Sequence, residues 1–255
     1  MSMDRRTFLG AAGVSALIVA GRASVQALAG ADGRGPAGET CPLTRWAMVI
    51  DLRRCLRDRG CTDCFAACHR AHNVPEFPDR AHEVKWIWRE PFERAFPAQG
   101  SRYTEAVFRG TPVPVLCNHC DNPPCVRVCP TQATWKREDG IVMMDWHRCI
   151  GCRYCAAACP YGSRSFNWLD PRPHIAALTP DFPTRAAGVV EKCNFCEERL
   201  AEGLAPACVE ACPEKALIFG NLEDPTSEVR ELLRTHHTLR RKPELGTGPA
   251  LHYIV

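Results

Sequence analysis

The sequence predicts an α+β fold of two metal-holding modules joined by long loop insertions. Three observations predict it. Seventeen of the 255 residues are cysteine, well above ordinary globular usage, and sixteen of the seventeen fall into four tight runs. Short β-prone stretches stand beside those runs: Trp46-Ala-Met-Val-Ile-Asp51 before the first, Ile141-Val-Met-Met-Asp145 before the third, and Ala216-Leu-Ile-Phe219 after the fourth. The helical stretches are short, at Glu197 to Glu202 and at Ser227 to His236, the second following the stop-and-restart signal Asp224-Pro225.

From the N-terminus, Asp4-Arg5-Arg6-Thr7-Phe8-Leu9-Gly10 sets paired arginines and Phe-Leu before a weakly apolar run, Ala11 to Ala20. This is similar to a twin-arginine export signal. Arg22 follows, and Ala27-Leu28-Ala29 fits a small-x-small cleavage site, so residues 1–29 are expected to be removed and the mature chain to begin near Gly30. The plainer alternative is an N-terminal amphipathic helix or a retained anchor. An export route for folded chains suits metal that must be built in beforehand, and metal-bound thiolates escape the scrambling that an oxidising compartment imposes on bare cysteines. The expected location is the periplasm.

The formal charge is +3, and loss of Arg5, Arg6, Arg22 and Asp4 leaves 29 basic and 28 acidic residues. If sixteen of the cysteines hold metal as thiolates in four sites, each adding roughly −2, the loaded protein comes to about −7. No basic run or aromatic-interleaved basic stripe marks a nucleic-acid surface. No stretch of 18 or more apolar residues is present, so the chain is expected to be peripheral to a membrane, not to span it.

The first run, Cys55, Cys61, Cys64 and Cys68, is spaced C-x5-C-x2-C-x3-C; the second, Cys117, Cys120, Cys125 and Cys129-Pro130, is C-x2-C-x4-C-x3-C-P. The third, Cys149, Cys152, Cys155 and Cys159-Pro160, is C-x2-C-x2-C-x3-C-P, the bacterial ferredoxin run; the fourth, Cys193, Cys196, Cys208 and Cys212-Pro213, is C-x2-C-x11-C-x3-C-P. Three close cysteines wrap one [4Fe–4S] cubane, and the x3 step carries the fourth thiolate into a short helix towards a neighbouring cluster. Proline then stops the chain from folding back. Such runs work in pairs, which predicts four [4Fe–4S] clusters in two ferredoxin-like modules.

Zinc is the main competitor, since two separated C-x2-C pairs close a tetrahedron and the fourth run alone would satisfy it. A disulfide scaffold is the other. The third run, four cysteines in eleven residues before proline, argues against both. Leu56-Arg57-Asp58-Arg59-Gly60 widens the first run, making its cluster the one most open to alteration. Cys64-Phe-Ala-Ala-Cys68-His69 has one residue too many for c-type haem attachment. Cys41 belongs to no run and reads as a small buried hydrophobe.

These runs, with Gln132 to Val142 between the second and third and Gly220-Asn221-Leu222-Glu223-Asp224-Pro225 after the fourth, resemble the four-cluster ferredoxin-like subunits of respiratory membrane oxidoreductases. That group contains the iron–sulfur subunits of dimethyl-sulfoxide, tetrathionate and polysulfide reductases, and the resemblance covers roughly Trp46 to Glu228. His72-Asn73-Val74-Pro75 and Glu83 to Glu90, together with the export signal and the widened first run, are most similar to the DsrO type. This is the periplasmic iron–sulfur subunit of a membrane complex associated with dissimilatory sulfite reductase. The resemblance implies a polytopic quinone-interacting membrane partner of the NrfD type, a periplasmic multihaem cytochrome, and a place in sulfur metabolism.

It also implies the pairing of the runs. One cluster takes Cys55, Cys61, Cys64 and Cys212, its neighbour Cys193, Cys196, Cys208 and Cys68; the inner clusters take Cys117, Cys120, Cys125 with Cys159, and Cys149, Cys152, Cys155 with Cys129. The expected organisation is residues 1–29 as signal, 41–68 with 190–222 as outer module, 69–112 as insertion, 113–189 as inner module with connector, and 223–255 as a C-terminal helix and tail.

The insertion carries Trp86, Trp88, Phe92 and Phe96 among charges and is too long for a simple connection. It is either a lid shielding clusters from water or a docking surface. His119 and His147 flank ligands and are expected at most to hydrogen-bond a sulfur. No GxSxG, phosphate loop, HExxH or paired-carboxylate pattern is evident, so the chain is expected to conduct electrons without a substrate site of its own. The competing function is the same relay serving an exported molybdopterin oxidoreductase or a hydrogenase.

Overall fold

The computed structural model describes residues 44–99 and 106–255; the export signal and Cys41 lie outside the described residues. Strand β1 (Trp46–Asp51) is the axis of the largest sheet, whose order is β8 (Leu217–Asn221), β1, β10 (Leu251–Ile254), β9 (Thr238–Leu239). It pairs antiparallel with β8 (Leu217–Asn221), Trp46 opposite Asn221, and parallel with β10 (Leu251–Ile254), Met48 opposite Leu251. Flanked on both edges and covered on both faces, Ala47, Met48, Val49 and Ile50 are fully buried, which is why this stretch is continuously apolar instead of alternating. Met48 and Ile50 face the main core, while Ala47 and Val49 pack with Val229 and Ile254.

The strands expected at 46–51 and near 216–219 form, as does the helix expected at 227–236, found as Glu228–Thr235. Val229 is its buried anchor, and it comes close enough to Gly220 that a Cβ there would meet Val229 and the Ser227 hydroxyl at 2.6 Å. The tail differs from the helix and extension expected of it. After the helix it supplies β9 (Thr238–Leu239) and β10, and the buried residues Leu251 and Tyr253, two apart on one face, complete the core.

The insertion is structural. Its strand β2 (Ile87–Pro91) pairs with β3 (Pro112–Leu116), and Trp86, Trp88, Phe92 and Phe96 all point inward. Phe96 meets Tyr253 edge-on at 5.0 Å, which ties the insertion to the tail. The hairpin of β4 (Thr134–Lys136) with β5 (Val142–Met144), and the antiparallel pair of β6 (Ser165–Phe166) with β7 (Val190–Glu191), whose strands are joined by a long connection, frame runs two to four.

Helices are short, and six of the eight lie on or beside the cysteine runs. In chain order they are α1 (Leu52–Cys55), α2 (Asp63–Ala71), α3 (Phe92–Ala95), α4 (Pro124–Arg127), α5 (Tyr154–Ala158), α6 (Glu197–Ala201), α7 (Ala207–Glu210) and α8, the Glu228–Thr235 helix. Helix α2 packs on α7, and α4 on α5, so run one meets run four and run two meets run three. The described chain is thus mixed α and β, with small sheets.

Candidate metal centres

Runs two, three and four bend through backbone that side-chain-bearing residues seldom adopt. Left-handed φ occurs inside the runs at His119 (41°), Arg153 (62°), Phe195 (61°) and Cys196 (53°). It recurs three residues after the last cysteine of runs two, three and four, at Gln132, Gly162 and Lys215. Each non-glycine case costs roughly 1–2 kcal/mol and persists only where the surroundings fix it. The repeated placement shows that these three runs share one way of turning the chain.

The sixteen cysteines are free thiols, and fifteen of them, all but Cys152, fall into four groups by their mutual electrostatic influence. In the first, burial and then Cys212 push Cys55 up to about 11, and burial, Cys55, Cys212 and Cys61 push Cys64 up to about 12. In the second, burial, then Cys68, Cys196, Cys193 and more distant Cys64 hold Cys208 well above a thiol's ordinary value. In the third, burial and then Cys117, Cys125 and Cys159 push Cys120 up to about 12, against a hydrogen bond from Thr247. In the fourth, burial raises Cys155, Arg164 opposes it, and Cys125, Cys149 and Cys129 add to the rise. The fourth cysteine of each run therefore stands with its partner run: Cys212 with run one, Cys68 with run four, Cys159 with run two and Cys129 with run three.

The groups follow one another in a single row. Cys208 of the second group feels Cys64 of the first, Cys193 of the second feels Cys117 of the third, and Cys155 of the fourth feels Cys125 of the third. Donors already point at several sulfurs. Phe195 N–H donates to Cys193 Sγ at 3.4 Å, Ala207 N–H to Cys196 Sγ at 3.4 Å, Ala216 N–H to Cys212 Sγ at 3.2 Å, and Arg164 to Cys125 Sγ at 3.0 Å. At Cys129, burial would raise the thiol, but N–H groups of Thr134, Thr131 and Ala133 and the Thr131 hydroxyl outweigh it and lower the value.

This donor set fits iron–sulfur clusters. Thiols driven together in a dry interior resist ionising unless a cation shares the site, and bound metal supplies it. Asn118, buried beside Cys117, has no partner among the described residues for either amide atom, which leaves a donor for acceptor sulfur. His72 bridges the second group: its Nδ1 lies 2.9 Å from the Cys68 carbonyl and 3.8 Å from Cys68 Sγ, and its Nε2 2.8 Å from Glu198. Burial would lower His72, but bonds with Cys196, Cys68 and Glu198 prevail and raise it well above its ordinary value. His72, Cys196 and Glu198 bring one donor atom each within 4.8 Å, but Cys196 belongs to the second group, so this trio is part of that group.

Of the histidines singled out from the sequence, His119 is buried, stacks on Phe195 at 3.7 Å and accepts the Val142 N–H through Nδ1. Burial, then Lys192, Arg45 and Arg164, holds it well below its usual value and therefore neutral. His147 is different. Its side chain is 97% exposed and, among the described residues, pairs with Asp145 and with no sulfur.

Residue types and spacing did not reveal several groups that shape these centres. Arg89 of the insertion donates to the Cys61 carbonyl and lies over Phe65 at 5.1 Å, which supports shielding as the insertion's role. Thr247 of the tail reaches Cys120 and bonds Tyr161 at 2.5 Å, while Asp121 and Asn122 N–H donate to the carbonyls of Gly248 and Thr247. Lys192 and Arg164 are buried cations among the thiols. The only sequence signals were proximity: Lys192 precedes Cys193, and Arg164 follows Cys159 by five residues.

A family model described as a 4Fe-4S dicluster domain matches residues 109–172 and 180–222. The chain is 41% identical to Hdr-like menaquinol oxidoreductase iron-sulfur subunit 1 of Archaeoglobus fulgidus, covering 82% of each protein. It is 38% identical to the iron-sulfur cluster-binding subunit of menaquinone reductase of Nitratidesulfovibrio vulgaris, over 82% of this chain and 88% of that protein. It is 39% identical to the protein NrfC of Escherichia coli K12 over 100% of this chain and 96% of that protein.

Proposed function

The chain belongs to the 4Fe-4S dicluster family of oxidoreductase iron–sulfur subunits, and from that premise we propose that it is a periplasmic relay between a quinone-interacting membrane subunit and a second redox partner. It carries four [4Fe–4S] clusters and transfers electrons without a substrate site of its own. When bound, such clusters supply reversible one-electron transfer. The ligands we assign are the sixteen cysteines, those of the four groups above with Cys152 added to the fourth, the outer pair of groups forming one ferredoxin-like module and the inner pair the other.

The single observation that carries the reading is the row, in which each group lies near enough to act electrostatically on the next, Cys64 on Cys208, Cys117 on Cys193 and Cys125 on Cys155. Its two ends suit different partners. At the fourth group, partly exposed Cys149 and Cys152 are flanked by Ile150, Tyr154 and Trp168, exposed by 66%, 64% and 53%, with Arg153 held 4.7 Å over Trp168. An apolar and aromatic surface with an arginine anchor suits the membrane subunit, expected to be of the NrfD type. At the first group the rim is charged, with Arg57 and Glu214 paired at 3.3 Å, and suits a water-borne partner such as a multihaem cytochrome.

Export through residues 1–29 and a place in dissimilatory sulfur metabolism of the DsrO type complete the proposal. Purifying the full-length chain anaerobically from detergent-solubilised native membranes tests it. Co-purification of a polytopic quinone-binding subunit with a multihaem cytochrome is expected. A pterin-bearing subunit in place of the cytochrome would give the chain to a molybdenum enzyme, and recovery of the chain alone from the cytoplasm would overturn the reading.

A further inference from the structure

Two buried cations stand in the row without a carboxylate. Lys192, 1% exposed, donates from Nζ to the carbonyl of Val142 on β5 and to that of Cys193 at 2.6 Å, so it is clamped between the second and third groups. Arg164, 7% exposed, donates to Cys125 Sγ at 3.0 Å and to the Thr134 hydroxyl at 2.7 Å, and its other terminal nitrogen meets Met144 Sδ at 3.4 Å. It lies between the third and fourth groups. Thiolates that reach Lys192 are Cys117, Cys193 and Cys125; those that reach Arg164 are Cys125, Cys155 and Cys117. Cys117 and Cys125, both of the third group, are common to the two sets.

Among the described residues neither cation forms an ion pair. Arg185 is the contrast: it is as deeply buried but is neutralised by Glu191 at 2.6 Å. Nature's usual treatment of a buried cation is such a partner. Among the described residues, the anions that act most strongly on Lys192 and Arg164 are the cysteine thiolates.

We infer that Lys192 and Arg164 make the third group, Cys117, Cys120, Cys125 and Cys159, the site of highest reduction potential in the row. This rests on the reading that each group holds a cluster. Reduction adds one negative charge, so an uncompensated cation in a dry interior favours the reduced form, and only the third group receives both cations at close range. The second group faces Lys192 and the raised imidazole of His72, but His72 is paired with Glu198 at 2.8 Å, so its charge is compensated; the fourth shares Arg164 but is partly open to water. In the first, Arg89 is opposed by Asp51. An electron entering from either end therefore comes to rest in the interior.

The test is a reductive titration of the anaerobically purified full-length protein with dithionite and mediators, followed by EPR. Cys120→Ser identifies the third-group signal by altering or abolishing it. In the wild type that signal is expected to appear first as the potential is lowered; its appearance after another cluster's would overturn the inference. Arg164→Gln and Lys192→Gln are each expected to cut the ratio of reduced to oxidised third cluster at least tenfold at the wild-type midpoint, about 59 mV for a one-electron couple. Arg164→Lys should restore most of it. Neutral variants with full iron content and an unmoved third midpoint would equally overturn the inference, and if a variant loses iron, the wild-type order decides alone. A wild type lacking iron and acid-labile sulfide would instead overturn the cluster reading itself.

Discussion

Glu191→Gln should destabilise the protein sharply, because it leaves a guanidinium buried without its counter-charge. Arg185 and Glu191 lie 2.6 Å apart with both side chains fully buried. Glu191 also accepts from Trp86 Nε1 at 3.0 Å and from Asn167 Nδ2 at 2.5 Å, while Arg185 donates to the carbonyls of His72 and Asn73 and is ringed by Trp86, Trp146 and Phe182. Removing one partner of such a pair costs about 3–5 kcal/mol. Since about 1 kcal/mol moves the melting temperature of a domain this size by roughly 2–4 °C, the expected fall is about 6–20 °C. Arg185→Met should cost more, because the carbonyls of His72 and Asn73, next to the second group, lose their donor. The double variant should cost at least about 1 kcal/mol less than the two single changes added together. Anaerobic melting followed by cluster absorbance reads all three variants. A Glu191→Gln protein melting within about 2 °C of the wild type, or strict additivity, would refute the reasoning.

Three further outcomes follow from the same structure. Gly151 has φ +68°, and a Cβ there would overlap the Gly188 carbonyl; Gly151→Ala should therefore cost the fourth group its cluster, about a quarter of the iron, by metal analysis. Burial, then Arg240, lowers His252 to about 4, so the folded protein resists a proton that the unfolded chain accepts at about 6.5. Stability from this group is full above pH 6.5 and lost as pH falls towards 4, and His252→Asn should flatten that part of the melting-temperature profile. Deleting residues 79–99 should lose clusters along with any partner, because Trp86, Trp88, Phe92 and Phe96 are core; retained cluster absorbance would show that the insertion serves docking alone.

The cysteine runs made the site legible because inorganic clusters demand fixed local spacing, and a proline after the last thiol is a local signal too. Strand β1 was legible for a similar reason: six consecutive residues suffice to show it. What spacing could not reveal is long-range. Arg89, Arg164 and Thr247 reach their cysteines across turns of chain that no local pattern encodes, and Lys192 is distinguished from a surface lysine only by its complete burial. The tail strand Leu251–Ile254 escaped because four residues are too few to separate a strand from an extension until β1 is seen beside it. The insertion's aromatics suited a docking face as well as a core, and only their burial decides between the two.

Iron and acid-labile sulfide, measured per chain on anaerobically purified full-length protein, test the central claim most directly. Four clusters predict about sixteen of each. Zinc without sulfide in the same sixteen thiols would contradict it.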